Sequence, residues 1–180
     1  MSATLIEKYT QENEKLLDAL LNLVDTVQKN PEKSKLTFSA TSRLTQGFKA
    51  EVESRNFRFV SDEPESLGGS DEGPNPVEYV LGALAACQEI VVKAHATVLG
   101  VNISEVRVDV EGELDVNGLL NLGDVRAGFS NITFHTSIKT DENDPEKLEK
   151  IKQLTLNNCP VLDIIKNPVP ISGEVEFIHY

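Results

Sequence analysis

Basic side chains are scarce in this sequence: 17 lysines and arginines stand against 29 aspartates and glutamates, a net charge of −12 over 180 residues. A field of that sign repels phosphate backbones and anionic lipid, which argues against nucleic acid or a membrane surface as the main partner. Long apolar runs are missing too. The longest charge-free stretch of the most apolar segment, Tyr79 to Gln88, falls far short of the roughly 18 residues a membrane span requires. The opening residues, Met1-Ser2-Ala3-Thr4-Leu5-Ile6-Glu7, lack the basic-then-apolar pattern of an export signal. Two cysteines are too few for a secreted disulfide framework and read as thiols in a reducing compartment. Together these absences predict a cytoplasmic protein. The three histidines, His95, His135 and His179, are scattered, and no Cys-x-x-Cys or His-x-x-x-His spacing exists, so no metal centre is expected. Gly68-Gly69-Ser70 has neither Walker nor dinucleotide spacing, and no Gly-x-Ser-x-Gly elbow is present. There is no internal repeat and no low-complexity tract.

What is present is an ordinary globular mix, 39% hydrophobic and 26% charged. A chain of this length buries about 70% of its unfolded surface without staples. Residues 4–29 predict an amphipathic helix: Thr4 and Glu7 have capping-box spacing, and Leu16, Leu17, Leu20, Leu21, Val24 and Val27 recur at helical intervals. Asn30-Pro31 ends it. Period-2 alternation then predicts strands through Leu36, Phe38 and Ala40, through Phe48, Ala50 and Val52, and through Phe57 and Phe59. Residues 61–76 form a loop dense in turn formers, with Asp62, Glu63, Glu65, Asp71 and Glu72 along it. A helix from about Pro76 to Leu99 follows, with Asn75 as N-cap and Gly100 at its far end. Its first half is apolar nearly all round, which predicts a central, buried position, and Gly82, Ala83, Ala85 and Ala86 permit close approach. Further strands run through Val106–Val110 and Ile132–Ile138, separated by a turn at Asn117-Gly118. A helix opens at Asp144-Pro145, breaks at Asn157-Asn158-Cys159-Pro160 and resumes to Ile165, and a last strand uses Ile171, Val175 and Phe177. Helices and antiparallel-type strands in separate runs indicate an α+β fold.

The thiols carry the chemical interest. Cys87, mid-helix on an apolar face, reads as a small buried hydrophobe or as a reactive sulfur. Cys159 precedes Pro160 and either caps the short helix, where unpaired N–H groups favour a thiolate, or merely belongs to a helix-breaking dipeptide. From local physics alone Cys159 is the better candidate for activation.

The run from Asp62-Glu63-Pro64 through Leu67-Gly68-Gly69-Ser70-Asp71-Glu72-Gly73-Pro74-Asn75-Pro76 to Cys87 resembles the signature of the OsmC/Ohr family, the osmotically inducible and organic-hydroperoxide-resistance proteins. Asn158-Cys159-Pro160-Val161 and Asn167-Pro168-Val169-Pro170-Ile171 resemble its second cysteine segment. The likeness covers about residues 36–180, so the chain divides into a helical extension over 1–31 and an OsmC-like domain over 32–180. The resemblance implies two sheets around long central helices in an intertwined homodimer. It also implies thiol-dependent reduction of organic hydroperoxides in oxidative stress defence: Cys87 as peroxidatic thiol, Cys159 as resolving thiol, and a dithiol or lipoyl-type reductant with no bound cofactor. The arginine that ionises the first cysteine maps best onto Arg43, with Arg55 and Arg58 as rivals. Peroxidase members carry an acidic residue about ten positions before that cysteine. Here Val77 occupies the place and the carboxylate falls at Glu78, which can instead close a capping box with Asn75. The alternative function is an OsmC-like small-ligand-binding or redox-sensing protein without turnover. The N-terminal helix is either a docking element or simple packing on the domain.

Overall fold

A computed structural model describes residues 3–179, with side chains from residue 11 onward. The elements run α1 (Ala3–Lys29), β1 (Thr41–Gln46), β2 (Lys49–Ser54), β3 (Phe57–Ser61), α2 (Pro76–Val98), β4 (Ile103–Glu113), α3 (Val116–Leu119), β5 (Asn131–Thr140), α4 (Pro145–Asn158) and α5 (Pro160–Lys166). The fold is α+β with two small antiparallel sheets, β1-β2-β3 and β4-β5. The expected Thr4–Glu7 capping box lies outside the described side chains.

Helix α2 forms for the reasons legible in its sequence. Asn75 accepts from the Glu78 N–H at 2.9 Å while the Glu78 carboxylate accepts from the Asn75 N–H at 2.8 Å, closing a capping box around Pro76 at the first helical position. At the far end Gly100, with φ +68°, takes the left-handed conformation that stops the helix. Leu84, Gln88, Val92 and Ala96 are its buried residues, one stripe at every fourth position. The expectation of burial all round is corrected here: Val80 and Ile90 are 41% and 68% exposed. Within one chain α2 packs against α1, β4, α4 and α5.

Strands β4 and β5 pair with Val106 opposite Ile138, Val108 opposite Thr136 and Val110 opposite Phe134, so one face is half-buried and the other carries Arg107, Asp109 and His135 outward. The core has two centres. One gathers Val92, Ala96, Val101, Ile103 and Ile151; the other gathers Leu84, Cys159 and Leu162. Each fully buried aliphatic side chain contributes about 1.5–3 kcal/mol. Helix α1 packs on α2, with Lys93 Nζ donating to Asn13 Oδ1 at 2.6 Å.

Three expected segments differ. The Leu36–Ala40 stretch is unpaired and exposed, and the strand begins at Thr41. The last strand is absent: Ile171, Val175 and Phe177 are 84–89% exposed in a segment without regular structure. Alternation supplies a strand's side-chain pattern but not the ladder partner it needs, and neither segment finds one in this chain. The turn at Asn117-Gly118 is a single helical turn, α3, because the Asp115 side chain caps the Asn117 N–H at 2.9 Å.

The 61–76 loop is ordered by one buried carboxylate. Asp62 is 1% exposed and accepts from the backbone N–H groups of Glu63, Ser70 and Glu72 at 2.8–3.3 Å. Burial alone would raise its pKa, but the N–H groups of Glu63, Glu72 and Ser70, with Lys49 nearby, outweigh it and hold the carboxyl below the usual range. The chain wraps so closely that a Cβ on Gly69 would lie 1.8 Å from the Glu63 carbonyl oxygen. Ser61 Oγ donates to the Pro74 carbonyl at 2.9 Å and Tyr79 Oη to the Val60 carbonyl at 2.5 Å, which ties β3 to the start of α2.

Candidate active site

Helix α2 presents Cys87 to the junction between α4 and α5, where Cys159 sits. The two sulfurs, 72 residues apart in sequence, lie 3.1 Å apart as free thiols. Cys87 is half-buried and Cys159 is 1% exposed. Their surround is apolar: Leu84 and Leu162, with Val91, Val110, Ile132 and Phe134 packed against them.

Cys159 is the N-cap of α5, its Sγ accepting from the Leu162 N–H at 3.5 Å, and Pro160 stands at the first helical position where no N–H is needed. The helix-cap reading of Cys159 therefore holds. Its electrostatic corollary does not. Burial pushes the thiol above its ordinary pKa; the Leu162 N–H pulls the other way, but the Cys87 thiol beside it adds to the rise. The N–H groups of Leu162 and Val161 at the cap do not offset removal of a sulfur anion from water.

The remaining expected site residues are placed elsewhere. Arg43 pairs with Glu51 across β1 and β2 at 3.0 Å, its side chain 78% exposed. Arg58 pairs with Glu53 at 2.8 Å, and the Arg55 guanidinium lies 5.0 Å from the Phe57 ring centre. All three thus find partners on the β1–β3 sheet, and the packing around the thiols is hydrophobic. Glu78 is engaged in the α2 cap, and Val77 is half-buried beside it.

A cleft beside the thiols has no signal in the sequence, and His95, weighed there only as a metal ligand, has a setting of its own. A cleft of about 450 Å³ opens beside the thiol cluster, with Leu84, Ile132, Phe134 and Leu162 among its walls. His95 lies with Nε2 3.4 Å from Nδ2 of Asn158, the residue before Cys159, and burial holds the imidazole below its usual pKa. His95 follows Cys87 by eight residues, about 12 Å along α2 and about 80° around it. Among the described residues no group of three or more His, Cys, Asp or Glu is arranged to hold a metal ion.

A match to the family model for OsmC-like proteins spans residues 69–174, which includes both cysteines. The chain belongs to the OsmC-like family. Solved OsmC-like structures share the fold. An OsmC-like protein from Mycoplasma pneumoniae superposes with a TM-score of 0.62 at 18% identity, covering 74% of this chain and 90% of that one. An organic hydroperoxide resistance protein OsmC from Legionella pneumophila gives 0.53 at 20% identity, covering 73% and 90%. An organic hydroperoxide resistance protein from Elizabethkingia anophelis gives 0.54 at 19% identity, covering 76% and 92%. No curated protein matches. Among the described residues no helix is long and apolar enough to cross a membrane.

Proposed function

We propose that this chain reduces organic hydroperoxides, with Cys87 as the attacking thiol and Cys159 as the resolving one. The observation that carries the reading is the 3.1 Å approach of two free sulfurs. Thiolate is the nucleophile, so the role falls to the sulfur that solvent and substrate can reach; Cys159 is sealed and burial keeps it protonated.

The Cys87 thiolate attacks the distal oxygen of ROOH. The O–O bond breaks, the leaving alkoxide takes a proton to become ROH, and Cys87 becomes a sulfenic acid. Cys159 then attacks that sulfur, the S–S bond forms, and hydroxide leaves with the Cys159 proton as water. An external dithiol, of lipoyl or similar type, returns both thiols by exchange. The apolar cleft beside the pair favours an alkyl or aryl substituent over hydrogen peroxide. Two of the related structures are of organic hydroperoxide resistance proteins, which supports the same substrate class.

In this reading the cationic partner of Cys87 is Arg43, delivered across the interface of an intertwined homodimer. Supporting the dimer is the apolar surface one chain leaves uncovered: Leu44 and Phe57 on the first sheet, Phe48 in its β1–β2 turn, and Ile171, Val175 and Phe177 near the C-terminus. Glu78 acts through the α2 cap as a positioning residue. Oxidative stress defence in the cytoplasm is the setting this chemistry suits.

The test is to treat reduced protein with one equivalent of cumene hydroperoxide. We expect one equivalent of cumyl alcohol and a Cys87–Cys159 disulfide by peptide mass spectrometry; Cys87→Ser should consume no peroxide, and Cys159→Ser should stop at a sulfenic acid trapped by dimedone. Both thiols remaining reduced while peroxide persists would refute the proposal. Val77, where peroxidase relatives place an acid, favours a second reading, a ligand-binding or redox-sensing protein. Formation of one disulfide without repeated turnover in excess dithiol would select it.

A further inference from the structure

Gln88 follows Cys87 in sequence and is turned about 100° from it around the helix, onto the buried stripe. Its side chain is 0% exposed, and neither Nε2 nor Oε1 has a hydrogen-bond partner among the described residues. The Thr136 hydroxyl, on the neighbouring face of β5, is also buried without one. An unpaired buried carboxamide destabilises a fold, and an apolar side chain of similar size would avoid the penalty. These orphan groups share one location. Both residues line a cleft of about 210 Å³ between α2, β5 and α4, whose apolar walls include Val92, Ile138 and Leu156. The other polar groups there are already engaged: Thr155 Oγ1 donates to the Ile151 carbonyl at 2.8 Å, and Lys152 at the rim pairs with Glu149 at 3.4 Å.

We propose that this cleft binds a small amphipathic molecule bearing a carboxamide or lactam edge. The ligand carbonyl accepts from Gln88 Nε2 and from the Thr136 hydroxyl; its N–H donates to Gln88 Oε1; its hydrocarbon part lies against Val92, Ile138 and Leu156. Only a group that both donates and accepts satisfies both ends of the Gln88 amide. A carboxylate pairs with the donors but turns an anion toward Oε1, and a hydrocarbon satisfies neither. The cleft borders the one beside the cysteines, with Phe134 and Leu156 common to both, and no peroxide step uses Gln88 or Thr136.

The experiment uses the full-length reduced protein, labelled with ¹⁵N at glutamine, titrated with hexanamide and separately with hexanoate. We expect hexanamide to shift the Gln88 side-chain resonances saturably and hexanoate to bind roughly tenfold more weakly, the factor for one lost hydrogen bond. Gln88→Leu should abolish saturable hexanamide binding, followed by ligand-observed saturation transfer, with a melting temperature equal to or above the parent's. Thr136→Val should weaken binding roughly tenfold. The proposal is overturned if hexanamide leaves the Gln88 resonances unmoved, if hexanoate binds as tightly, or if Gln88→Leu melts lower, since the carboxamide would then be satisfied by protein. None of these readouts involves peroxide, so failure here and failure of the hydroperoxide reading are separable.

Discussion

Oxidising the thiol pair should raise thermal stability by an amount that chain statistics give directly. A Cys87–Cys159 bond would close a loop of 72 residues. Removing that loop's freedom from the unfolded chain is worth about 4.4 kcal/mol at 25 °C in the chain-entropy treatment. Cross-links deliver less than this when they distort the native state. Here the sulfurs already lie 3.1 Å apart, between a long helix and a helix junction, so little distortion is required. For a chain of this size each kcal/mol moves the melting temperature by about 2–4 °C, giving a rise of roughly 9–18 °C. The assay is differential scanning calorimetry of reduced protein against protein oxidised with one equivalent of cumene hydroperoxide, with Cys159→Ser treated identically as control. A rise below about 4 °C, with the disulfide confirmed by mass spectrometry, would refute the reasoning, because it would mean that bond formation strains the fold by nearly as much as loop closure stabilises it. A comparable rise in the Cys159→Ser protein would also sink it.

Leu84 is 0% exposed and packs between Cys159 and Leu162, so Leu84→Ala should cost about 2–5 kcal/mol, read from the urea unfolding midpoint. Asp62 has a folded pKa below its unfolded value of about 3.9, so its contribution is fully present above that pH and is lost as pH falls toward the lower folded value. Unfolding free energies measured from pH 6 downward should therefore fall more steeply for the parent than for Asp62→Asn, which should be less stable at neutral pH; parallel curves would contradict the assignment.

Local signals in the sequence reach as far as local physics reaches. Asn75, Pro76 and Glu78 announce the start of α2, and Asp144-Pro145 and Cys159-Pro160 announce α4 and α5, because caps and prolines act within one turn of the chain. Residues 36–40 and 171–177 alternate as strands do, yet pairing is a property of two segments, and the chain offers these none. In the sequence Asp62 is one of five acids along a loop, with no local pattern to set it apart. Gly69 and Gly73 on the same loop were the signal that backbone wraps something closely, since side chains there would strike Glu63 and Val60. Cys159 shows the limit from the other side: its capping position was readable, but the burial that decides its protonation comes from Leu84 and Leu162, far off in sequence or across a helix face. The meeting of Cys87 with Cys159 came from resemblance, not from any pattern in the residues between them.

The 3.1 Å gap between the sulfurs has a consequence for dynamics. A disulfide needs them about 2.05 Å apart, so some one ångström of travel separates the open from the closed state. Rotation about side-chain bonds, within the packed cluster of Leu84 and Leu162, is the motion that would supply it. Ring closure in this architecture therefore asks for side-chain movement between a helix and a helix junction that already hold the two sulfurs close, not for a new arrangement of those helices.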